Sequence, residues 1–155
     1  MQKLKIIPGK KHQITDCSTC LRDSQLWDHY FSNDDHTQSF LTEGIDREEI
    51  HVALDESNEV VGFMRIDLKG AFAKFPLLRV IAVRKEFRKM GFGEEMLSFY
   101  EKIGFKNANK LFLFVSDFNK QAKKLYTKTG YQKVGEIPDL YIDDITEYLM
   151  MKVKS

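Results

Sequence analysis

The sequence is sparing with cysteine, proline and tryptophan, which number 2, 3 and 1 in 155 residues. Two cysteines cannot staple a disulfide-framed secreted scaffold. Their spacing, Cys17-x-x-Cys20, is that of a redox or metal pair, but the residues before it, Lys10-Lys11-His12-Gln13, are polar where a redox motif follows a buried strand. His29 and His36 are too far apart for the usual His-x(3–5)-His zinc spacing. The expectation is therefore two thiols on an N-terminal helix and no metal. Long apolar runs are also missing. Met1 to Pro8 lacks the apolar core of a signal peptide and no later segment approaches a membrane span, so the expected location is the cytoplasm with no membrane partner. Charge of one sign is lacking too: 24 Lys and Arg against 23 Asp and Glu give the molecule as a whole no electrostatic reason to bind nucleic acid.

What is present suits a packed globule. A hydrophobic content of 43%, with 12 Phe and 6 Tyr, fits one domain over residues 1–155. Leu4 to Ile7 reads as a strand, and Thr15 or Asp16 as the cap of a helix running to about Asp23. Leu26, Trp27, Tyr30 and Phe31 recur at helical spacing, Ser32 to Asp35 breaks the pattern, and a short helix spans Thr37 to Glu43 with Gly44 as its stop. Ile50 to Leu54 and Val60 to Leu68 alternate about a turn and read as a hairpin. A loop, Lys69 to Pro76, leads into the strand Leu77 to Val83. Next come a helix with Met96, Leu97, Tyr100 and Ile103 on its apolar face, a strand over 110–116, a helix over 119–129, and strands over Tyr131 to Ile137 and Glu147 to Val153. The order predicts an α+β (mixed α/β) fold, built on one sheet flanked by helices.

The most informative junction is Arg88-Lys89-Met90-Gly91-Phe92-Gly93, which follows the strand end Ile81-Ala82-Val83 and opens a helix. A strand, a basic loop and a glycine-bracketed helix start turn free backbone N–H groups and the positive end of the helix dipole toward one spot, as phosphate binding requires. A dinucleotide-binding glycine motif fails at its third position, Met96, and a Walker loop fails because Glu94-Glu95 follows Gly93.

Arg88-x-x-Gly91-x-Gly93, followed by Asn119-x-x-Ala122-x-x-Leu125-Tyr126 and then Gly130-Tyr131, resembles the two signatures of the GNAT superfamily of N-acetyltransferases. The resemblance implies a mostly antiparallel sheet of about six to seven strands and acetyl-CoA as acyl donor. It implies that the backbone of Lys89, Met90, Gly91, Phe92 and Gly93 takes the pyrophosphate, with charge from Arg88 and Lys89. The pantetheine arm would pair with the main chain of Ile81, Ala82 and Val83 as an added strand. Asn119 would lie near the cofactor while also capping its helix, and Tyr126 would be the general acid that protonates the departing CoA thiolate. The competing expectation for Tyr126 is one more core aromatic.

The expected reaction is acetyl transfer to a primary amine, of a small molecule or peptide, by direct attack. In ribosomal-protein N-terminal acetyltransferases of this superfamily a glutamate aligns with Phe114, which cannot take a proton. The acids of Glu43, Asp46, Glu48, Asp67, Asp117 and the segment Tyr141 to Asp144 are alternatives that spacing does not separate from a water relay or entry of the neutral amine. Residues 22–46, the loop 69–76 and Tyr141 are expected to shape the acceptor pocket. Two other readings stand: a non-catalytic CoA-binding sensor or structural module, and an interaction domain using the aromatic stretch 26–31. An exposed last strand would offer a homodimer edge.

Overall fold

The structure, a computed structural model, describes residues 3–155. Its strands are β1 (Lys5–Pro8), β2 (Ile50–Leu54), β3 (Val60–Ala71), β4 (Phe75–Val83), β5 (Lys110–Ser116), β6 (Gln132–Pro138) and β7 (Thr146–Val153). The longer helices are α1 (Ile14–Leu21), α2 (Asp34–Asp46), α3 (Phe92–Gly104) and α4 (Lys120–Lys128). The strands make one seven-stranded sheet in the order β1-β2-β3-β4-β5-β7-β6. β4 and β5 run parallel, Leu77 opposite Phe112, and α3 lies between them in sequence as the crossover that a parallel pair needs. The pairs β1–β2, β2–β3, β5–β7 and β6–β7 are antiparallel. This is the mixed, mostly antiparallel architecture expected from the sequence. The last strand is not an edge, however. β7 lies between β5 and β6 and is paired on both sides, so the edges are β1 and β6.

The chain forms two compact units, one of residues up to Ile66 with Val80–Tyr100, the other of Asp67–Arg79 with Glu101–Ser155. In the first, α1 and α2 cover β2 and β3 with a core that includes Cys17, Cys20, Leu21, Leu41, Val52 and Phe63. Leu26, Trp27, Tyr30 and Phe31 pack against that core, Trp27 beneath the Arg22 guanidinium at 4.4 Å, so the aromatic stretch closes the fold of its own unit. Arg65 is buried on β3, where it donates to Glu49 and Glu43 at 2.8 Å each and to the Phe40 carbonyl at 3.0 Å. In the second unit, Ala71, Leu77 and Phe112 form a core with Phe75, Phe114, Leu149 and Met151 packed against it.

Several local expectations change. The cap expected at Thr15 or Asp16 is not used, because a tight turn, Lys11–Gln13, precedes α1 and the Gln13 side chain accepts the Lys10 N–H. Asn33, read as part of a break, is the N-cap of α2, accepting the His36 N–H at 2.9 Å. Gly44 does not stop that helix. It lies inside α2, where a Cβ would come within 2.8 Å of Ile50, so it is a point of close packing. The loop expected over Lys69 to Pro76 shrinks to a tight turn between β3 and β4, with Phe72 and Ala73 at φ of 57° and 56°.

Candidate active site

In the first unit β4 ends at Val83, a short turn, Lys85–Phe87, follows, and α3 begins at Phe92. Between them the backbone alternates in hand: Arg88 is extended, whereas Lys89 and Gly91 have φ of 63° and 84°. Such alternation turns successive N–H groups toward a common concavity. Among the described residues, the backbone N–H groups of Lys89, Met90, Gly91, Phe92 and Gly93 make no hydrogen bond of good distance and angle. The helix that opens here satisfies the carbonyl side, since Glu95 N–H donates to Gly91 O at 3.2 Å. Gly91 is required by its φ and not by crowding, because a Cβ there would meet nothing within 4 Å.

Arg88 sits differently from the expectation of a free phosphate-facing cation. Its Nε donates to Val83 O at 2.8 Å, one terminal nitrogen to Asp23 O at 2.7 Å, and the other to Arg22 O at 2.8 Å and Cys20 O at 3.5 Å. The guanidinium thus ties the loop to the carbonyls at the end of α1, where a cation also meets the negative end of the helix dipole. Lys89 and Met90 are exposed, Phe92 is buried, and on β4 Ala82 is buried while Ile81 and Val83 are half-buried. Cys17 and Cys20, beneath this loop in the core, are free thiols. Burial pushes both up, Cys20 to about 12.

In the second unit Asn119 caps α4, its side chain accepting the Ala122 N–H at 3.2 Å. The far end of α4 explains the Tyr-x-x-x-Gly-Tyr spacing. Gly130, at φ of 103°, sends its N–H to Thr127 O, and the Tyr131 N–H returns to Tyr126 O at 2.9 Å. These two bonds are a Schellman motif, and the edge-on contact of the Tyr126 and Tyr131 rings, 6.1 Å apart, is its apolar seal. The Tyr126 ring is 5% exposed, and desolvation pushes its phenol well above the usual tyrosine range. No hydrogen bond of the Tyr126 hydroxyl is found among the described residues.

Residues 18–131 match the model of the Acetyltransferase (GNAT) family, which is most of the chain. The chain belongs to the GNAT acetyltransferase family. A search of curated proteins gives no significant match. Solved structures with the same fold include Ard1 from Thermoplasma volcanium, at 20% identity, TM-score 0.81 and 98% of each chain covered. Another is a GNAT-family acetyltransferase from Bacillus cereus, at 17% identity, TM-score 0.77 and 99% of each chain. A third is a spermidine N-acetyltransferase chimera from Vibrio cholerae and hSSAT, at 14% identity, TM-score 0.80, with 97% of this chain and 95% of the other covered. At these identities the likeness is one of fold.

In this GNAT chain the acids considered from spacing have distinct fates. Glu43 is bonded to Arg65, Asp67 to Arg79 at 3.4 Å, and Asp117 accepts the Thr146 N–H at 3.1 Å. Asp46, Glu48, Asp143 and Asp144 are exposed. Phe114 is half-buried on β5 opposite Leu149. Spacing gives no distinction to Glu147, yet the structure buries it to 4% exposure and sets the Ser116 hydroxyl 2.7 Å from its Oε2. The sequence signal was a carboxylate beside the apolar run Tyr148-Leu149-Met150-Met151.

Proposed function

We propose that this GNAT protein transfers an acetyl group from acetyl-CoA to a primary amine by direct attack, with Tyr126 as general acid to the sulfur. The observation that carries the reading is the loop Lys89–Gly93, whose five consecutive N–H groups make no well-formed hydrogen bond within the described chain and open into α3. A CoA pyrophosphate is the anion such a loop fits, the N–H groups donating to its oxygens and the α3 dipole favouring its charge. Lys89 is available to add a cation, whereas the Arg88 side chain keeps the loop in shape and the Arg88 N–H is itself committed to Lys85 O. The pantetheine amides would pair with the backbone of Ile81, Ala82 and Val83. Asn119 would stand near the cofactor from its capping position.

Amine attack on the thioester carbonyl forms a C–N bond, and collapse of the tetrahedral adduct breaks C–S. The sulfur then needs a proton. A phenol raised by burial remains protonated across the working range, so it donates only when the thiolate forms and is reprotonated from the surplus proton on nitrogen. A cationic amine is the favoured acceptor class, since exposed Asp34, Asp35 and Asp46 lie in the 22–46 stretch and exposed Asp143 and Asp144 beside Tyr141.

The test is free-thiol release from acetyl-CoA across a panel of amines. Tyr126→Phe keeps the ring contact with Tyr131 and should keep CoA affinity while kcat falls by about 10² to 10⁴, the usual worth of general acid catalysis. An unchanged kcat would return Tyr126 to helix capping alone. CoA binding with no acceptor-dependent release would favour the non-catalytic module.

A further inference from the structure

Among the described residues, Glu147 is a candidate base that the fold, and not the sequence spacing, brings forward. β5 and β7 are antiparallel with Phe114 opposite Leu149 and Ser116 opposite Glu147. Side chains two residues apart on a strand share a face, so Phe114, Ser116, Glu147 and Leu149 all lie on one face of the sheet. Glu147 is the diagonal neighbour of Phe114, a relation that spans about 7–8 Å between backbones. Along β7 that face otherwise carries Leu149 and Met151, which pack in the core with Phe112 and Phe114. A carboxylate at 4% exposure in an apolar row must be hydrogen-bonded to be tolerated, and the Ser116 hydroxyl donates to its Oε2 at 2.7 Å.

We propose that Glu147 is the general base that removes the acceptor's proton, held by Ser116 as its positioning residue. The proposal rests on the transfer reading above and names the group that reading leaves open. One strand over from Phe114, β7 supplies a carboxylate on the same face. The step balances: the ammonium gives one proton to the Glu147 carboxylate, the neutral nitrogen forms the C–N bond, and C–S cleavage releases CoA thiolate. The second nitrogen proton reaches the sulfur through Tyr126, and Glu147 returns its proton to solvent, so one proton is released per turnover of a cationic amine.

Charged and titratable groups face this carboxylate from β5 and from the segment before β7. From β5 come Ser116 and, beside it, Asp117, whose Oδ2 is taken by the Thr146 N–H. The segment before β7 brings Tyr141, an exposed side chain whose phenol is raised by partial desolvation first and then by the Glu147 charge, with Arg79 acting in the opposite sense. Arg79 is itself paired with Asp67, and the β6 partner is the apolar Ile137.

The experiment measures kcat/KM against pH for primary amines of descending basicity, an alkylamine, glycinamide and a fluorinated ethylamine, with CoA affinity measured alongside. The expected profile has a rising limb at one pH for all three amines. Glu147→Gln should remove that limb and lower kcat by about 10² to 10⁴ while CoA still binds. Ser116→Ala keeps the carboxylate but takes away a donor to its charged form, so the limb should move to higher pH. This second variant and the wild-type profile decide the matter even if the first folds poorly. A limb that follows each amine's own basicity, and that Ser116→Ala leaves in place, overturns Glu147 as base and leaves acetyl transfer standing. Absence of transfer to every amine, with CoA bound, overturns the transfer reading and the base with it.

Discussion

Replacing Gly91 by alanine separates a loop that binds from a loop that merely turns. An L-residue in left-handed backbone costs about 1–2 kcal/mol. That cost has two destinations. If the loop keeps its shape, the strain lowers folding stability. If the loop relaxes, stability is preserved and the strain is met when a ligand demands the original shape. Gly91 is exposed and a Cβ there touches nothing within 4 Å, so no packing holds the strained form and relaxation should win. About 1–2 kcal/mol then appears in CoA affinity, a rise in Kd of roughly 5- to 30-fold. Titration calorimetry with CoA and thermal unfolding on the same variant read the two destinations. Gly130→Ala is the control, for its φ of 103° carries comparable strain where a Cβ would lie 3.3 Å from Lys152. There the cost should fall on stability, a Tm loss of about 2–4 °C per kcal/mol, with Kd unchanged. Wild-type CoA affinity for Gly91→Ala, or an equal affinity loss in Gly130→Ala, would refute the phosphate-loop assignment.

Two further outcomes follow from groups that the structure commits elsewhere. Arg88→Lys leaves a single ammonium in place of a planar fork that reaches four carbonyls, and urea unfolding should show a loss of about 1–2 kcal/mol after discounting for partial exposure; wild-type stability with weakened CoA binding would mean that the side chain serves the phosphate instead. Cys17 and Cys20, raised by burial, have almost no thiolate at pH 8, so a thiol-specific disulfide reagent should label them in the native protein far more slowly than in urea. Rapid native labelling would contradict that environment.

The strand and helix order was legible because each element announces itself locally, by period and by turn residues. What escaped the sequence was decided by packing partners, by register and by backbone conformation that the letters do not announce. Gly44 has the look of a helix stop, and only the approach of Ile50 shows why glycine stands mid-helix. The turn at Phe72 and Ala73 bends through positive φ without glycine, so nothing in the letters shortens the loop. Arg88 sits in a basic run that suggests a free cation, and its partners Cys20, Arg22 and Asp23 lie more than sixty positions upstream. Glu147 gains meaning only from the β5–β7 register. The positive-φ turn at Gly91 and the Asn119 cap, by contrast, are short-range features that the spacing announces.

The end of α4 bears on how such sequences are searched. Tyr126, Gly130 and Tyr131 are linked by hydrogen bonds and a ring contact that terminate a helix, whatever the hydroxyl does. A pattern of tyrosine, three spacers, glycine and an aromatic will therefore retrieve helix ends of unrelated ancestry, in proteins that handle no thioester. The recurring aromatic after the glycine belongs to the folding code of the chain, and the chemistry is written in one oxygen atom. Mutational scans of this segment should consequently divide into two classes by assay: substitutions of Gly130 and Tyr131 that are read out as abundance, and removal of the Tyr126 oxygen, which abundance will not register.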